Sequence, residues 1–386
     1  MNNIPTSLNN KFVIWGMKKF QLLLATIMIS AILFSQDNEA HLLVGTYTSG
    51  SSEGIYVYKF NTATGESILE SSIKSSNPSY LAVSPDKKYV FAVNEDAPGH
   101  ISSYSFDKTT GKLSFVNQQA SKGNHPCYVT VSNNGKWLLT GNYSSGNFSV
   151  NKIGKNGILD SAINSIQHEG YSVNADRQQA PHVHATVLSK DNKYLFVPDL
   201  GIDKLMIYSF NAKNGKVTPA KIPFQLVEAG AGPRHFDFTP SGKFAYLMEE
   251  LTGSISAYSY YKGTLTLVQN ISALPGDFNG AVGSADIHVS PDGKFLYASN
   301  RGESNTIAIF SINETTGLLR LVGHQPVLGK TPRNFNFDPS GNFLLVANQN
   351  SDEIVVFSIN RSTGLLTDSG KRIMVSKPVC IKWIRN

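Results

Sequence analysis

The chain has 386 residues, of which 41% are hydrophobic, and carries 34 Lys plus Arg against 28 Asp plus Glu for a net charge of +6. Three of the basic residues, Lys11, Lys18 and Lys19, lie in the first 35 positions with no acid among them, so the rest of the chain holds 31 against 28, a net of +3. That near balance, without a basic stripe or an aromatic–basic motif, excludes a nucleic-acid-binding surface. No linker, low-complexity tract or charge block divides the chain.

At the N-terminus, the apolar run Leu22 to Phe34 follows Lys18-Lys19 and ends at the small residue Ser35. This is the pattern of a secretory signal peptide starting at Met17. A run of that length is short of the ~20 apolar residues that cross a bilayer, so no stable membrane insertion is expected. Residues 1–36 are therefore read as an N-terminal extension and signal peptide, and residues 37–386 as an exported domain, periplasmic or secreted.

Beyond Leu42 the chain repeats. The fullest copy begins at Pro233, reaches Thr239 six places on, turns through Pro240-Ser241-Gly242-Lys243 and reaches Glu249 sixteen places on. Other copies begin at Pro78, Pro126, Val183, Ser284 and Pro332, and a seventh start, Pro378, runs out of chain. Successive starts are 48, 57, 50, 51, 48 and 46 residues apart, a period that marks a solenoid, propeller or array.

Within each copy the apolar residues alternate or run short, are rich in Val, Ile, Tyr and Phe, and are bounded by Gly, Asn, Asp and Pro, which predicts strands. Each unit reads as four strands: one led by the proline, one after the Ser-Pro-Asp-Gly-type turn, one such as Thr306 to Ile312, and one such as Leu318 to Val322. Seven such units predict an all-β fold, a seven-bladed β-propeller of four-stranded antiparallel blades. The unfinished unit at Pro378 is completed by the N-terminal segment, so the last blade takes its innermost strand from Val379 to Ile384 and three strands from Leu42 to Ile73. Cys127 and Cys380 then stand in different blades with a whole blade between them, too far apart for the ~7 Å between Cα atoms that a disulfide allows, and both are expected to be buried thiols.

The loop entering the first strand of each blade and the turn leaving the second open on the same rim. Residue types that recur from blade to blade there are structural, and departures call for another reason. Sixteen places after each origin stand Asn94, Asn142, Asp199, Glu249, Asn300 and Asn348, a recurrence expected of residues that cap their own turns. One place further the series reads Glu95, Tyr143, Leu200, Glu250, Arg301 and Gln349, with no common type. One place after the origin, His184, Arg234 and Arg333 depart from Ser79, Cys127, Ala285 and Val379. His182 and His184, two apart on an expected strand, project to one side. With Asp199 or Glu250 they would make a metal pair, but no third ligand stands at a recognisable spacing, so no metal or cofactor is expected. As acid–base groups they titrate in the right range. Arg234, Arg301 and Arg333 on one mouth suggest an anion site.

Gly-Pro-Arg-His at 232–235 with Glu249-Glu250, His-x-His at 182–184 followed by Pro198-Asp199-Leu200-Gly201, His125-Pro126-Cys127 with Gly141-Asn142-Tyr143, and Ser299-Asn300-Arg301-Gly302 together resemble the seven-bladed propeller lactonase family. That family includes the propeller-type bacterial 6-phosphogluconolactonase and the fungal carboxymuconate-lactonising enzyme. The resemblance spans about Leu42 to Ile384 and implies a catalytic group of His182 or His184, Arg234, Glu250 and Arg301.

The function expected is hydrolysis of an anionic sugar lactone by a monomer that uses no cofactor. His184, His182 or Glu250 would be the base and Arg234 the oxyanion partner. Arg301 with Arg333 would clamp the substrate's negative group, and His125, Asp199, His235, Asn300 and Arg333 would hold the small-molecule lactone or sugar acid. The alternative is an exported propeller that binds a sugar acid or a protein and catalyses nothing, because this fold alone specifies no activity.

Overall fold

The computed structural model describes residues 38–385, so the extension and signal peptide read at 1–36 lie outside the described residues. Among the described residues, 28 strands form seven four-stranded antiparallel sheets arranged as the blades of a ring. Blade 1 runs Pro378–Arg385, Glu39–Thr46, Gly54–Asn61, Ser67–Lys74 from the axis outward, joining the C-terminal strand to three N-terminal ones as the sequence predicts. Blades 2 to 7 follow in chain order. Their inner strands are Leu81–Val83, Pro126–Val131, Val187–Leu188, Pro233–Phe238, Ser284–Val289 and Pro332–Phe337.

Burial follows position in the blade. The second strands are buried almost throughout, and Phe244–Glu249 and Phe343–Asn348 at every residue, because a neighbouring blade covers each face. The outer strands alternate or turn mostly polar, as in Thr264–Ser272. The core is accordingly a set of clusters between successive blades. One sets Tyr246, Met248 and Ile255 of blade 5 against Ile287, Leu296 and Phe310 of blade 6. Another sets Leu42, Phe60 and Ile381 of blade 1 against Leu345, Ile354 and Val356 of blade 7, which seals the ring.

Two features of this frame were not legible in the repeat. First, the inner strands carry a register irregularity just past the origin: between Pro126 and Tyr128, Pro233 and Phe236, Ser284 and Ile287, and Pro332 and Asn334. Such bulges re-aim side chains, and here they free the residues one place after the origin from the ladder. In blade 4 the same stretch is not strand at all. His182 and His184 flank Val183, which makes a single bridge to Asp199, and regular pairing begins only at Val187.

Second, the recurring Asn residues do not cap their own turns. The side-chain amides of Asn94, Asn142, Asn300 and Asn348 donate to the carbonyls of Ser76, Ser121, Ala273 and Val327 at 2.6, 3.0, 2.8 and 3.1 Å. Each acceptor lies just past the outer strand of the preceding blade. A buried amide at the end of the second strand thus ties down the crossover between blades, where an unpaired carbonyl would cost about 1–3 kcal/mol.

The C-terminal strand contributes Val379, Cys380, Ile381 and Ile384, all nearly inaccessible to solvent, and pairs with Glu39–Thr46 along its length. Fully burying each large apolar side chain is worth about 1.5–3 kcal/mol. Truncation after Ser376 is therefore expected to abolish the cooperative thermal transition followed by circular dichroism. A truncated protein that melts as sharply and as high as the full chain would contradict this account of closure.

Candidate active site

On the rim where crossovers enter the blades, a cavity of about 450 Å³ opens at the ring axis. Its walls come from the two variable positions of the repeat. The residue after the inner-strand origin supplies Cys127, His184 and Arg333, and the residue just past the second strand supplies Glu95, Tyr143, Glu250 and Arg301. Tyr47 and Arg177 complete the charged and aromatic lining.

Glu250 is the centre of the cluster. Its Oε1 accepts from Arg177 Nη2 at 2.7 Å, and its Oε2 accepts from Arg234 Nε at 2.8 Å and lies 3.0 Å from Arg301 Nη2. Arg234, only 1% exposed, does not reach the cavity wall, because its Nη1 turns away to donate to the Ala285 carbonyl at 2.6 Å. Arg301 is braced by the carbonyls of Gly283 and Ser284, to which its Nε and Nη2 donate at 2.8 and 3.2 Å. Arg333 is held differently. Its guanidinium lies over the Tyr47 ring at 5.3 Å and 4.0 Å from Glu95 Oε1, and no described residue accepts a hydrogen bond from it. The Tyr47 hydroxyl donates to Glu95 at 2.9 Å, fixing both groups beneath the guanidinium.

His184 faces the same space with both ring nitrogens nearly free. Nε2 is 3.9 Å from Glu250 Oε2, and Nδ1 is 3.8 Å from the Cys127 sulfur.

The ten residues singled out from sequence thus separate. His184, Glu250, Arg301 and Arg333 line the cavity and Arg234 lies beneath it, which removes Arg234 from direct contact with a ligand. His182 stacks on Tyr143 with ring centroids 4.5 Å apart and is 3.0 Å from the Tyr143 carbonyl through Nδ1, so it buttresses the wall. Asp199 is consumed by His168 Nδ1 at 2.7 Å and the backbone N–H groups of His182 and Gly201. Asn300 is consumed by Ser284 and Ala273. His235 lies against His184 but is bonded to Asp286 at 2.7 Å, and His125 contacts Ser144 at 2.8 Å. None of these five lines the cavity. Among the described residues, no group of three or more His, Cys, Asp or Glu is placed to hold a metal ion.

The reading missed Tyr47, Glu95, Tyr143 and Arg177. Glu95 and Tyr143 occupy a position that breaks the repeat, so the signal was present. For Arg177 the only signal was the 57-residue spacing, which marks the crossover of residues 168–186 as the longest in the ring.

Charge and burial set the protonation states. Burial alone would raise the Glu250 carboxyl, but Arg301, Arg234 and Arg177 outweigh it and hold it at about 2. For His184, burial first and the positive Arg234 second push the imidazole well below its ordinary value, so it is neutral at pH 7. Burial and Arg234 take His235 to about 3 despite Asp286. Burial lowers Arg301 to about 10, which leaves it cationic.

These shifts have one sign in stability. The unfolded chain protonates His235 below 6.5, while the folded chain refuses the proton until about 3, so unfolding takes up a proton throughout that window. Stability is therefore expected to fall as pH drops from 6.5 toward 3, by up to about 1.4 kcal/mol per pH unit for each such group. Urea midpoints measured between pH 4.5 and 7.5 test this. His235→Gln should flatten the slope, and an unchanged slope would show that His235 does not carry it.

The family described as Lactonase, 7-bladed beta-propeller, matches residues 41–383. A 6-phosphogluconolactonase of Bacillus subtilis is 36% identical over 347 residues, covering 88% of this chain and 97% of the relative. One of Formosa agariphila is 38% identical over 315 residues, covering 80% and 89%. Among solved structures, a periplasmic gluconolactonase of Pseudomonas aeruginosa superposes with a TM-score of 0.87 at 37% identity, covering 90% of this chain and 99% of that one. With this ring, this cavity and a match across nearly all of the described residues, the chain belongs to the seven-bladed β-propeller lactonase family.

Proposed function

We propose that the protein hydrolyses an anionic sugar lactone, with 6-phosphogluconolactone as the representative substrate, and that His184, Arg301 and Arg333 carry the chemistry. The observation behind the assignment is that one cavity brings together a neutral imidazole whose Nε2 lies beyond hydrogen-bond distance of Glu250 and a guanidinium with no hydrogen-bond partner among the described residues. Counting Arg177, Arg234, Arg301 and Arg333 against Glu95 and Glu250, the cluster carries four positive and two negative charges, a surplus suited to an anionic ligand.

In this reading His184 takes a proton from a water as its oxygen attacks the lactone carbonyl carbon. Negative charge then develops on the carbonyl oxygen. Arg301 is braced through Nε and Nη2, which leaves Nη1 to meet that charge. Collapse breaks the ring carbon–oxygen bond, the imidazolium returns its proton to the departing oxygen, and the new carboxylic acid ionises to solvent. Glu250 is too strongly stabilised as a carboxylate to serve as the base, and it holds Arg234 and Arg301 in register instead. Arg333 grips the substrate's remote anion.

Kinetics with 6-phosphogluconolactone and gluconolactone separate these roles. His184→Gln is expected to lower kcat/KM by about 10²- to 10⁴-fold, and Arg301→Ala to lower kcat by about 10²- to 10³-fold. Arg333→Ala should mainly raise KM for the phosphorylated lactone, the mark of binding shared by ground and transition states. Arg234→Ala should instead cost stability, about 3–5 kcal/mol for a broken buried pair. Because His184 is already neutral, the rate should show no acid limb between pH 6 and 7. Wild-type rates for both lactones no better than buffer would remove the hydrolase reading in favour of a non-catalytic sugar-acid-binding propeller.

We further propose that the protein is exported. The Lys18-Lys19, Leu22–Phe34 and Ser35 pattern supports this, as does the periplasmic gluconolactonase among its relatives. N-terminal sequencing of the mature protein should give a start shortly after Ser35, and a start at Met1 or Met17 would count against it.

A further inference from the structure

Arg177 reaches the cavity from the long crossover of residues 168–186, and that crossover is fastened by one buried carboxylate outside the cavity. Asp203 stands in the turn between the second and third strands of blade 4, Tyr194–Asp199 and Lys204–Asn211, and is 4% exposed. Its Oδ2 accepts from the Ser172 hydroxyl and, at 2.7 Å, from the Gly230 N–H. Its Oδ1 accepts from Gln178 Nε2 and from the Gly232 N–H, both at 2.8 Å. Each oxygen therefore joins one donor from the Arg177 crossover to one donor from the segment leading into Arg234. Those same two segments meet again at Glu250, through Arg177 and Arg234. Asp203 thus fixes, through two side-chain donors of the crossover and two backbone N–H groups, the separation that Glu250 spans.

Arg177 itself is the most exposed of the four arginines, at 42% of its side chain, and stands at the mouth. Its Nη2 serves Glu250 and Tyr143, while no described residue accepts from Nε or Nη1. Those N–H groups are available to a ligand's anion.

We propose that Asp203 is a positioning residue that acts through Arg177 to make the site select anionic over neutral sugar lactones. This rests on the lactonase reading and adds the source of its selectivity. An acceptor-only carboxylate is required here, because all four partners donate. Asp203→Asn keeps the shape but turns an N–H₂ toward two of them.

The test is the ratio of kcat/KM for 6-phosphogluconolactone over gluconolactone, normalised to folded protein. Arg177→Gln is expected to lower that ratio at least about tenfold, the effect of losing one charge-assisted contact. Asp203→Asn should lower it in the wild-type background and lower it no further in the Arg177→Gln background, because the two residues act as a unit. A loss shared equally by both lactones, or equal factors in both backgrounds, overturns the proposal. Should Asp203→Asn fail to fold, Ser172→Ala removes only the crossover's hydroxyl donor and must lower the ratio in the same direction; an unchanged ratio overturns the proposal as well. If the wild type turns over neither lactone, the hydrolase reading falls and binding decides the selectivity. The thermal shift given by 6-phosphogluconate must then shrink in Arg177→Gln and Asp203→Asn more than that given by gluconate, and equal shrinkage overturns the proposal.

Discussion

A ring of sheets holds together only if its last gap is closed, and here the closure is one antiparallel pairing between Pro378–Arg385 and Glu39–Thr46. Every other blade can rely on chain continuity to hold its four strands together. Blade 1 depends on two segments from opposite ends of the chain, so its pairing bears a loop-closure entropy set by the whole length of the domain. The apolar clusters on both sides of blade 1 offset that cost. The cavity exists because of this closure. Its lining comes from blades 1 to 7 around the axis, with Tyr47 from the first blade and Arg333 from the last held together by a cation–π contact across the seam.

Within the cavity the organising constraint is electrostatic. The three guanidiniums of Arg177, Arg234 and Arg301, crowded together, would repel one another in a site where little water screens them. Glu250 resolves this by standing between them, and it remains ionised because the three positive charges together outweigh its desolvation. Burial first, and the positive Arg234 second, keep His184 unprotonated. One carboxylate therefore orders the arginines, and one of them, Arg234, adds to the burial that keeps the imidazole neutral. Arg333 stands apart from this arrangement, with its donors unspent.

The architecture was legible in the sequence because a propeller repeats its own instructions: seven starts, one period and a fragment at each end left only one closure. Comparing blades with one another also located the mouth, since Glu250, Arg301, His184 and Arg333 all break the repeat. That comparison failed where identity and direction part company. Asp199 and Asn300 stand on the same rim as Glu250, but one residue earlier on a strand, and that single step turns a side chain to the opposite face of the sheet. Arg234 looked equivalent to Arg333, yet Arg234 is spent on Glu250 and the Ala285 carbonyl while Arg333 lies over the Tyr47 ring. Arg177 escaped notice because it lies in a crossover with no counterpart in other blades, where a blade-to-blade comparison has nothing to compare.

The amide ties at Asn94, Asn142, Asn300 and Asn348 have a bearing on how such a ring can diverge. Each fixes a crossover where it leaves the outer strand, close to the blade and independent of what the rest of the crossover does. A crossover anchored at that point can lengthen without shifting the angle between blades, since loop closure grows costly only slowly with length. The segment at residues 168–186 is such an extension, fastened at the same point by Asp199 and His168 instead of an amide, and it delivers a charged side chain to the cavity while blades 3 and 4 keep their packing. Substrate range in this architecture can therefore be rewritten by insertion at one rim, one crossover at a time, with the barrel of strands left as it was.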